Sequence, residues 1–149
     1  MTIRRYKDED CGELAKLFYE TVHTVNAEDY TRDQLFVWAE DCEKLKVRRN
    51  DLLTQNTFIA EQNGIIVGFG SIDASGYLDL LFVHKDFQRQ GIATALCAEL
   101  EKGFSVIKTY ASVTAKPFFA NRGYSVIKSR EVVRSGIKLK NFEMIKSNF

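Results

Sequence analysis

The dipeptide Asn63-Gly64 sits between two runs that read as strands, TFIAEQ at 57–62 and IIVGFGSID at 65–73. A two-residue hairpin turn needs positive φ at both central positions, and Asn-Gly meets that need best. The two runs are therefore expected to pair antiparallel. A second turn, Ala74-Ser75-Gly76, leads into YLDLLFVH at 77–84. Residues 57–84 thus predict a three-stranded meander, and any fold open to this chain must be built around that sheet.

A sheet needs helices or a second sheet to cover its faces. Residues 2–6, TIRRY, read as a first strand. In DCGELAKLFYETVHTV, Leu14, Leu17, Phe18 and Val22 recur at helical spacing, with Asp10 and Glu13 placed as an N-terminal cap pair. Thr31 and Gln34 form a T-x-x-Q capping box, flanked by Tyr30 and Leu35 as a hydrophobic staple. The helix they open is expected to bury Leu35, Trp38, Cys42 and Leu45 and to fade near Arg48 to Asp51. Downstream, the pattern predicts a helix over 91–103 and a strand over 105–113. A short helix within 114–124 follows, with Pro117 in its first turn and Gly123 at its end. A terminal hairpin closes the chain, YSVIKSREVV and IKLKNFEMI flanking Arg134-Ser135-Gly136. The order β-α-α-β-β-β-α-β-α-β-β describes an α/β chain of the α+β kind with a mixed sheet. At 149 residues it suits one domain, 1–149, with a sizeable core.

Charge and cysteine content narrow the function. The chain has 21 basic and 20 acidic residues, a net charge of +1, which argues against a dedicated nucleic-acid binder. Any anion site must then be local. Cys11, Cys42 and Cys97 are isolated and odd in number, so neither a disulfide framework nor a metal site is suggested. Reduced thiols are the default reading. The charged start MTIRRYKDEDC lacks the apolar centre of a signal peptide, and no apolar run approaches a membrane span. The expectation is a cytoplasmic protein with no metal and neither a membrane nor a nucleic-acid partner.

The chemistry concentrates in FQRQGIATAL at 87–96, a polar turn that follows one strand and opens a helix. A helix N-terminus offers free N–H groups and a partial positive charge. Gly91 lets the backbone approach a ligand, small Ala93 and Thr94 keep the first turn uncrowded, and Arg89 and Lys85 add charge. Together they suit a phosphate. Equally, a loop with one glycine can join a strand to a helix and bind nothing. The Walker pattern G-x-x-x-x-G-K-[ST] is absent, and Gly68-Phe69-Gly70 lies inside a strand, so it is no dinucleotide fingerprint.

QRQGIA at 88–93 resembles the Q/R-x-x-G-x-G/A loop of the GCN5-related N-acetyltransferases, the GNAT family, and it follows the apolar-Val pair Phe82-Val83 as that family places it. SVTAKPFFANRGY at 112–124 is similar to the family's second signature, with Ser112, Ala115, Phe118, Gly123 and Tyr124 at matching or near-matching positions. DYTRDQLFVWA and GIKLKNFEMIK are similar to stretches in a poorly assigned bacterial branch of the family. The resemblance implies acetyl-CoA as cosubstrate and acetyl transfer to a primary amine by direct attack in a ternary complex. It implies a pyrophosphate held by Gln88, Arg89, Gln90, Gly91, Ile92, Ala93 and Thr94. It also implies pantetheine laid like an added strand along backbone groups of Phe82 and Val83. The Val83 amide is the candidate donor to the developing oxyanion. The acid that the family often takes from a tyrosine falls at Phe119 here, which has no proton to give and is left to pack against the pantetheine end. Water, Tyr110 or Tyr124 remain for that role.

An acceptor ammonium, with a pKa of roughly 10, must lose its proton before it attacks. By two-residue alternation Tyr77, Asp79, Leu81 and Val83 share a face. Asp79, inside an apolar strand, is either the catalytic base, a solvent-facing residue or the partner of a lysine or arginine across the sheet. Tyr77 is placed to orient substrate or water. His84, one of two histidines, is either a contact to CoA, a proton relay or a polar surface residue. Tyr30 and Trp38 are either walls of an acceptor pocket or core residues. The acceptor is a small-molecule amine or a peptide. The alternative reading, prompted by Phe119, is a catalytically degenerate acyl-CoA-binding module or sensor, and a nucleotide-binding use of the loop is a third. Val132, Val133, Ile137 and Leu139 in the terminal hairpin suit either a homodimer edge or an intramolecular sheet.

Overall fold

The computed structural model describes residues 1–147. Its strands are β1 (Thr2–Arg5), β2 (Asn56–Gln62), β3 (Ile65–Ile72), β4 (Tyr77–Val83), β5 (Val106–Ser112), β6 (Ser125–Arg134) and β7 (Ile137–Ser147). They form one sheet in the order β1-β2-β3-β4-β5-β7-β6. Neighbours run antiparallel except β4 and β5, which run parallel. The helices are α1 (Cys11–Thr24), α2 (Arg32–Trp38), α3 (Arg49–Thr54), α4 (Ile92–Leu100) and α5 (Lys116–Asn121). The hairpin turn has the backbone that the sequence demanded, with φ of 53° at Asn63 and 76° at Gly64.

Two apolar cores lie on opposite faces of the sheet. Leu14, Leu17, Phe18 and Val22 of α1 pack with Ile59, Phe69 and Leu80. Ile92, Leu96 and Leu100 of α4 pack with Val67, Ile72, Leu78 and Ile107. The terminal hairpin belongs to the same sheet: β7 pairs with β5 along its length and leaves β6 at the edge.

The expected long second helix is broken. The capping box of Thr31 and Gln34 forms, but α2 stops at Trp38, where Ala39 leaves helical geometry. The Asp41 carboxylate accepts from the Glu43 N–H at 2.8 Å, a local bond that competes with helix continuation. A 3₁₀ turn over Lys44–Arg48 then leads into α3. In consequence Leu35 and Leu45 are buried, Trp38 is half-buried, and Cys42 is exposed rather than in the buried stripe. Asp10 likewise does not pair with Glu13. Its carboxylate takes Arg4 at 2.9 and 3.0 Å and the Lys7 N–H at 2.8 Å, tying β1 to the start of α1.

Gly68 and Gly70 in β3 let α4 lie close on the sheet. A Cβ on Gly68 would stand 3.0 Å from Ile92 Cγ2, and one on Gly70 would stand 2.7 Å from Leu100 Cδ1. The G-x-G that is not a nucleotide fingerprint is thus a seat for a helix. Just beyond α4, the Glu101 side chain is only 5% exposed. It accepts from Arg122 Nη2 at 2.7 Å, the Tyr124 hydroxyl at 2.6 Å and Lys146 Nζ at 3.4 Å, which locks α4 to α5 and β7. Burial alone pushes the Glu101 pKa up, but the hydrogen bonds and charges around it outweigh burial and hold it below the ordinary value.

Gly70→Ala is expected to cost about 1–3 kcal/mol by overpacking, read from the urea midpoint of unfolding. An unchanged midpoint would mean that α4 is not seated on this glycine. Because the folded-state pKa of Glu101 is depressed, its contribution is complete above the unfolded value of about 4.3 and is lost as pH falls through the folded value. Glu101→Gln should therefore lower stability by about 2–3 kcal/mol at neutral pH and remove part of the acid slope in a pH series of thermal melts.

Candidate active site

β4 and β5 pair only at Tyr77↔Lys108 and Leu78↔Thr109, then part. The cause is visible on the other side of β4. Ser71 pairs with Leu80 and Ile72 with Leu78, so Asp79 is the extra residue of a β-bulge. The bulge interrupts the alternation assumed from sequence. Leu80 joins the core under α1, whereas Leu78, Leu81 and Val83 join the core under α4. Tyr77 therefore does not share a face with Leu81 and Val83. It turns instead toward Tyr110, with ring centroids 5.6 Å apart.

The splay opens a cleft of about 720 Å³ that runs from the N-terminus of α4 to the Tyr77 end of β4. At the first end Gly91 is the N-cap, with φ of 81° and no capping side chain. The first intrahelical bond runs from the Ala95 N–H to the Gly91 carbonyl, which leaves the N–H groups of Ile92, Ala93 and Thr94 without helical partners. Arg89 also lies in the left-handed region, φ 61°, so left-handed residues flank Gln90. Such turns make successive N–H groups converge into an anion cradle. A Cβ at Gly91 would meet nothing within 4 Å, so the cradle is open. These residues fit a diphosphate.

The expected binding residues do not all contribute alike. Gln88, Arg89, Gly91, Ile92, Ala93 and Thr94 line the cleft; Gln90 is exposed and does not. The Gln88 side chain donates to the Val83 carbonyl at 2.7 Å and so braces the loop against β4. The His84 N–H donates to the Val67 carbonyl at 2.8 Å. Alternation from that bond turns the backbone of Phe82 toward β3 and that of Val83 and Leu81 toward the gap. Leu81, not Phe82, is thus the second backbone position on the open edge. The Phe82 ring packs against Phe18 and Phe69. Phe119 is buried on the cleft floor against Phe118 and Tyr124. Tyr124 is no acid for this cleft, since its hydroxyl is tied to Glu101 and it lies outside the cleft lining.

The other end is polar. Arg48 Nη1 donates to Asp79 Oδ1 at 3.3 Å, its Nη2 makes a close bond to Oδ2, and Gln55 Nε2 donates to Oδ2 at 3.1 Å. Of the expectations for Asp79, the ion pair is the one this geometry displays, and the side chain is buried rather than turned to solvent. The Tyr77 phenol interacts with the same carboxylate. Burial first, and then the Asp79 charge, push its pKa up to about 12, so the phenol is neutral at pH 7. Sequence reasoning missed Arg48. Its signal was the lone carboxylate in an apolar strand, which demands a cation. Tyr30 and Trp38 both line the cleft, and the Tyr30 hydroxyl bridges the Lys140 carbonyl and the Val113 N–H at 2.8 Å each. His84 lies outside the cleft lining; its Nδ1 accepts from the Asp86 N–H. Among the described residues, no cluster of His, Cys, Asp and Glu is arranged to hold a metal, and no helix is long and apolar enough to cross a membrane.

A strand pair splayed at a bulge beside an uncapped helix N-terminus is the architecture of an acyl-CoA N-acyltransferase. The family model described as acetyltransferase (GNAT) domain matches residues 26–146, and the chain belongs to that family of acetyl-CoA-dependent acetyltransferases. YafP, an uncharacterized N-acetyltransferase of Escherichia coli (strain K12), is 33% identical over 142 residues, 95% of this chain and 93% of its own. A GCN5-related N-acetyltransferase from Rhodopseudomonas palustris superposes with a TM-score of 0.89 at 33% identity, covering 99% of this chain and 95% of that one. The PaiA N-acetyltransferase of Thermoplasma acidophilum, solved in complex with coenzyme A, gives 0.74 at 21% identity, covering 99% and 98%.

Proposed function

We propose that this chain transfers the acetyl group of acetyl-CoA to a primary amine, which attacks the thioester directly within a ternary complex. The observation that carries the reading is the continuity of the cleft. It joins the open α4 N-terminus, the unpaired edge of β4 and the polar Tyr77 end in one channel. The coenzyme A bound by PaiA supports the same donor here.

Acetyl-CoA supplies an acetyl group activated as a thioester. The N–H groups of Ile92, Ala93 and Thr94, with Arg89, hold the diphosphate. Backbone groups of Leu81 and Val83 hold the pantetheine arm as an added strand. The N–H of Val83 or of Leu81, facing the gap, stabilises the oxyanion as it develops on the carbonyl. Phe118 and Phe119 floor the arm and keep water out. No acid is required at the leaving group, because a thiol of pKa about 8.5 departs readily as thiolate; Tyr110 or water suffices to protonate it.

Asp79 acts here as a positioning residue. Its oxygens are committed to Arg48 and Gln55, and its charge acts on Tyr77, so it positions that phenol and fixes Arg48 beside the acceptor. The ammonium proton leaves to water at the cleft mouth. Asp79→Asn is accordingly expected to lower kcat/KM about tenfold while the pH profile keeps its shape. Loss of the acidic-limb ionisation in that variant, the fall in rate at low pH, would instead make Asp79 the base.

The first measurement is calorimetric titration with acetyl-CoA, with ATP as a competing ligand. The parent should bind acetyl-CoA and ATP should not match it. Gly91→Glu should lose the binding, because it sets a carboxylate against the diphosphate, while strain at this left-handed position lowers stability by about 1–2 kcal/mol. Absence of binding to the parent would overturn the proposal. Binding with no thiol released by any amine would favour the acyl-CoA sensor, the reading that Phe119 motivates.

A further inference from the structure

The acceptor end of the cleft has a charge that the whole chain does not share. The chain carries 21 basic and 20 acidic residues. The cleft wall presents Lys44, Arg48, Arg89, Arg130, Arg134 and Lys140 against Asp79 as its one acidic side chain. Arg89 belongs with the diphosphate cradle. The others come from the segment between α2 and α3 and from the β6–β7 hairpin.

Arg48 is neutralised by Asp79 and by Asp51, whose Oδ2 accepts from its Nε at 3.0 Å. Arg130 is not. Among the described residues no carboxylate lies within ion-pair distance of it. Its Nε donates to Asn141 Oδ1 at 3.1 Å, and its guanidinium carbon sits 3.8 Å from the centroid of the Tyr110 ring. Tyr110 in turn meets Tyr77 edge to face. The stack and the Nε bond fix the guanidinium plane and leave its two Nη groups as a fork. A planar fork of this kind matches a carboxylate in bidentate geometry, and the neighbouring aromatic faces strengthen the pairing. A polycation such as a polyamine would meet like charge on several sides.

We infer that the acceptor is a primary amine that also carries a carboxylate, as a free amino acid does, and that Arg130 is the residue that selects it. The inference rests on the acetyltransferase reading and narrows its substrate class.

The test is thiol release from acetyl-CoA with matched amines: phenylalanine against phenethylamine, and lysine against cadaverine. The carboxylate-bearing member of each pair should be favoured about tenfold or more in kcat/KM, mainly through KM. Arg130→Gln should collapse that ratio, and Arg130→Lys, which keeps the charge without the fork, should restore only part of it. Trp38, the chain's single tryptophan, lines the cleft, so its fluorescence in the CoA complex should give the same ranking of affinities without turnover. A parent that binds acetyl-CoA and prefers the decarboxylated amines would overturn the inference and leave the acetyltransferase reading intact. So would an Arg130→Gln variant with the parent's ratio. Failure of the parent to bind acetyl-CoA would overturn both.

Discussion

One extra residue in β4 governs the site. The bulge at Asp79 ends the β4–β5 ladder at Leu78 and leaves the backbone of Leu81 and Val83 without strand partners on that side. An unpaired strand edge inside a domain is unfavourable unless something satisfies its N–H and C=O groups. The Val83 carbonyl is taken by the Gln88 side chain, and the groups still open along the gap suit an extended, amide-bearing ligand. The packing around it prevents closure. α4 is pressed onto β3 over two glycines, and its C-terminal end is bolted to α5 and β7 through Glu101. β5 cannot slide across to fill the gap while those contacts hold.

The same bulge decides which side chains meet. It aims Asp79 at the segment after α2, where Arg48 answers it, and it sends Tyr77 toward Tyr110 rather than toward the donor arm. A straight second helix would have carried Arg48 elsewhere. The break at Ala39, set by the Asp41 turn, and the Asp79–Arg48 pair belong to one arrangement. The helical break brings the cation over the sheet, and the ion pair keeps it there at the price of burying one carboxylate.

What was legible in the sequence was local. The Asn63-Gly64 turn, the Thr31–Gln34 capping box and the order of the seven strands each follow from residues a few positions apart, and each stands in the structure, whereas the expected second helix is split and adds α3 to the order. The glycine-bearing loop was legible for the same reason, since its left-handed residues and helix start are consecutive. What was not legible depends on partners far along the chain. A bulge is an agreement between β3 and β4, and no pattern within YLDLLFVH announces it. Alternation therefore placed Tyr77 and Asp79 with Val83, while it was the family resemblance that put Phe82, where the backbone puts Leu81, on the open edge. Arg48 was hidden because its partner lies 31 residues away. The Gly68–Gly70 pair was read correctly as non-nucleotide, but its role as a seat for α4 needed the helix to be in place.

The replacement of the usual tyrosine by Phe119 bears on how such a site divides its labour. Phe119 is buried against two aromatic rings, so it strengthens the floor of the cleft and offers no polar atom to it. The nearby phenol of Tyr124 is held by Glu101, and that of Tyr77 is turned to the Asp79 carboxylate. Neither is free to serve the leaving sulfur. A thiolate near neutral pH asks little of an acid, whereas the oxyanion asks for fixed donors that no solvent can supply as well. Backbone N–H groups on a bulged strand are such donors, and a side-chain substitution leaves them in place. Loss of the tyrosine is therefore compatible with turnover. On the proposed mechanism, the groups that most constrain the reaction are the main chain of β4, and the side chains around it are left to set the choice of acceptor.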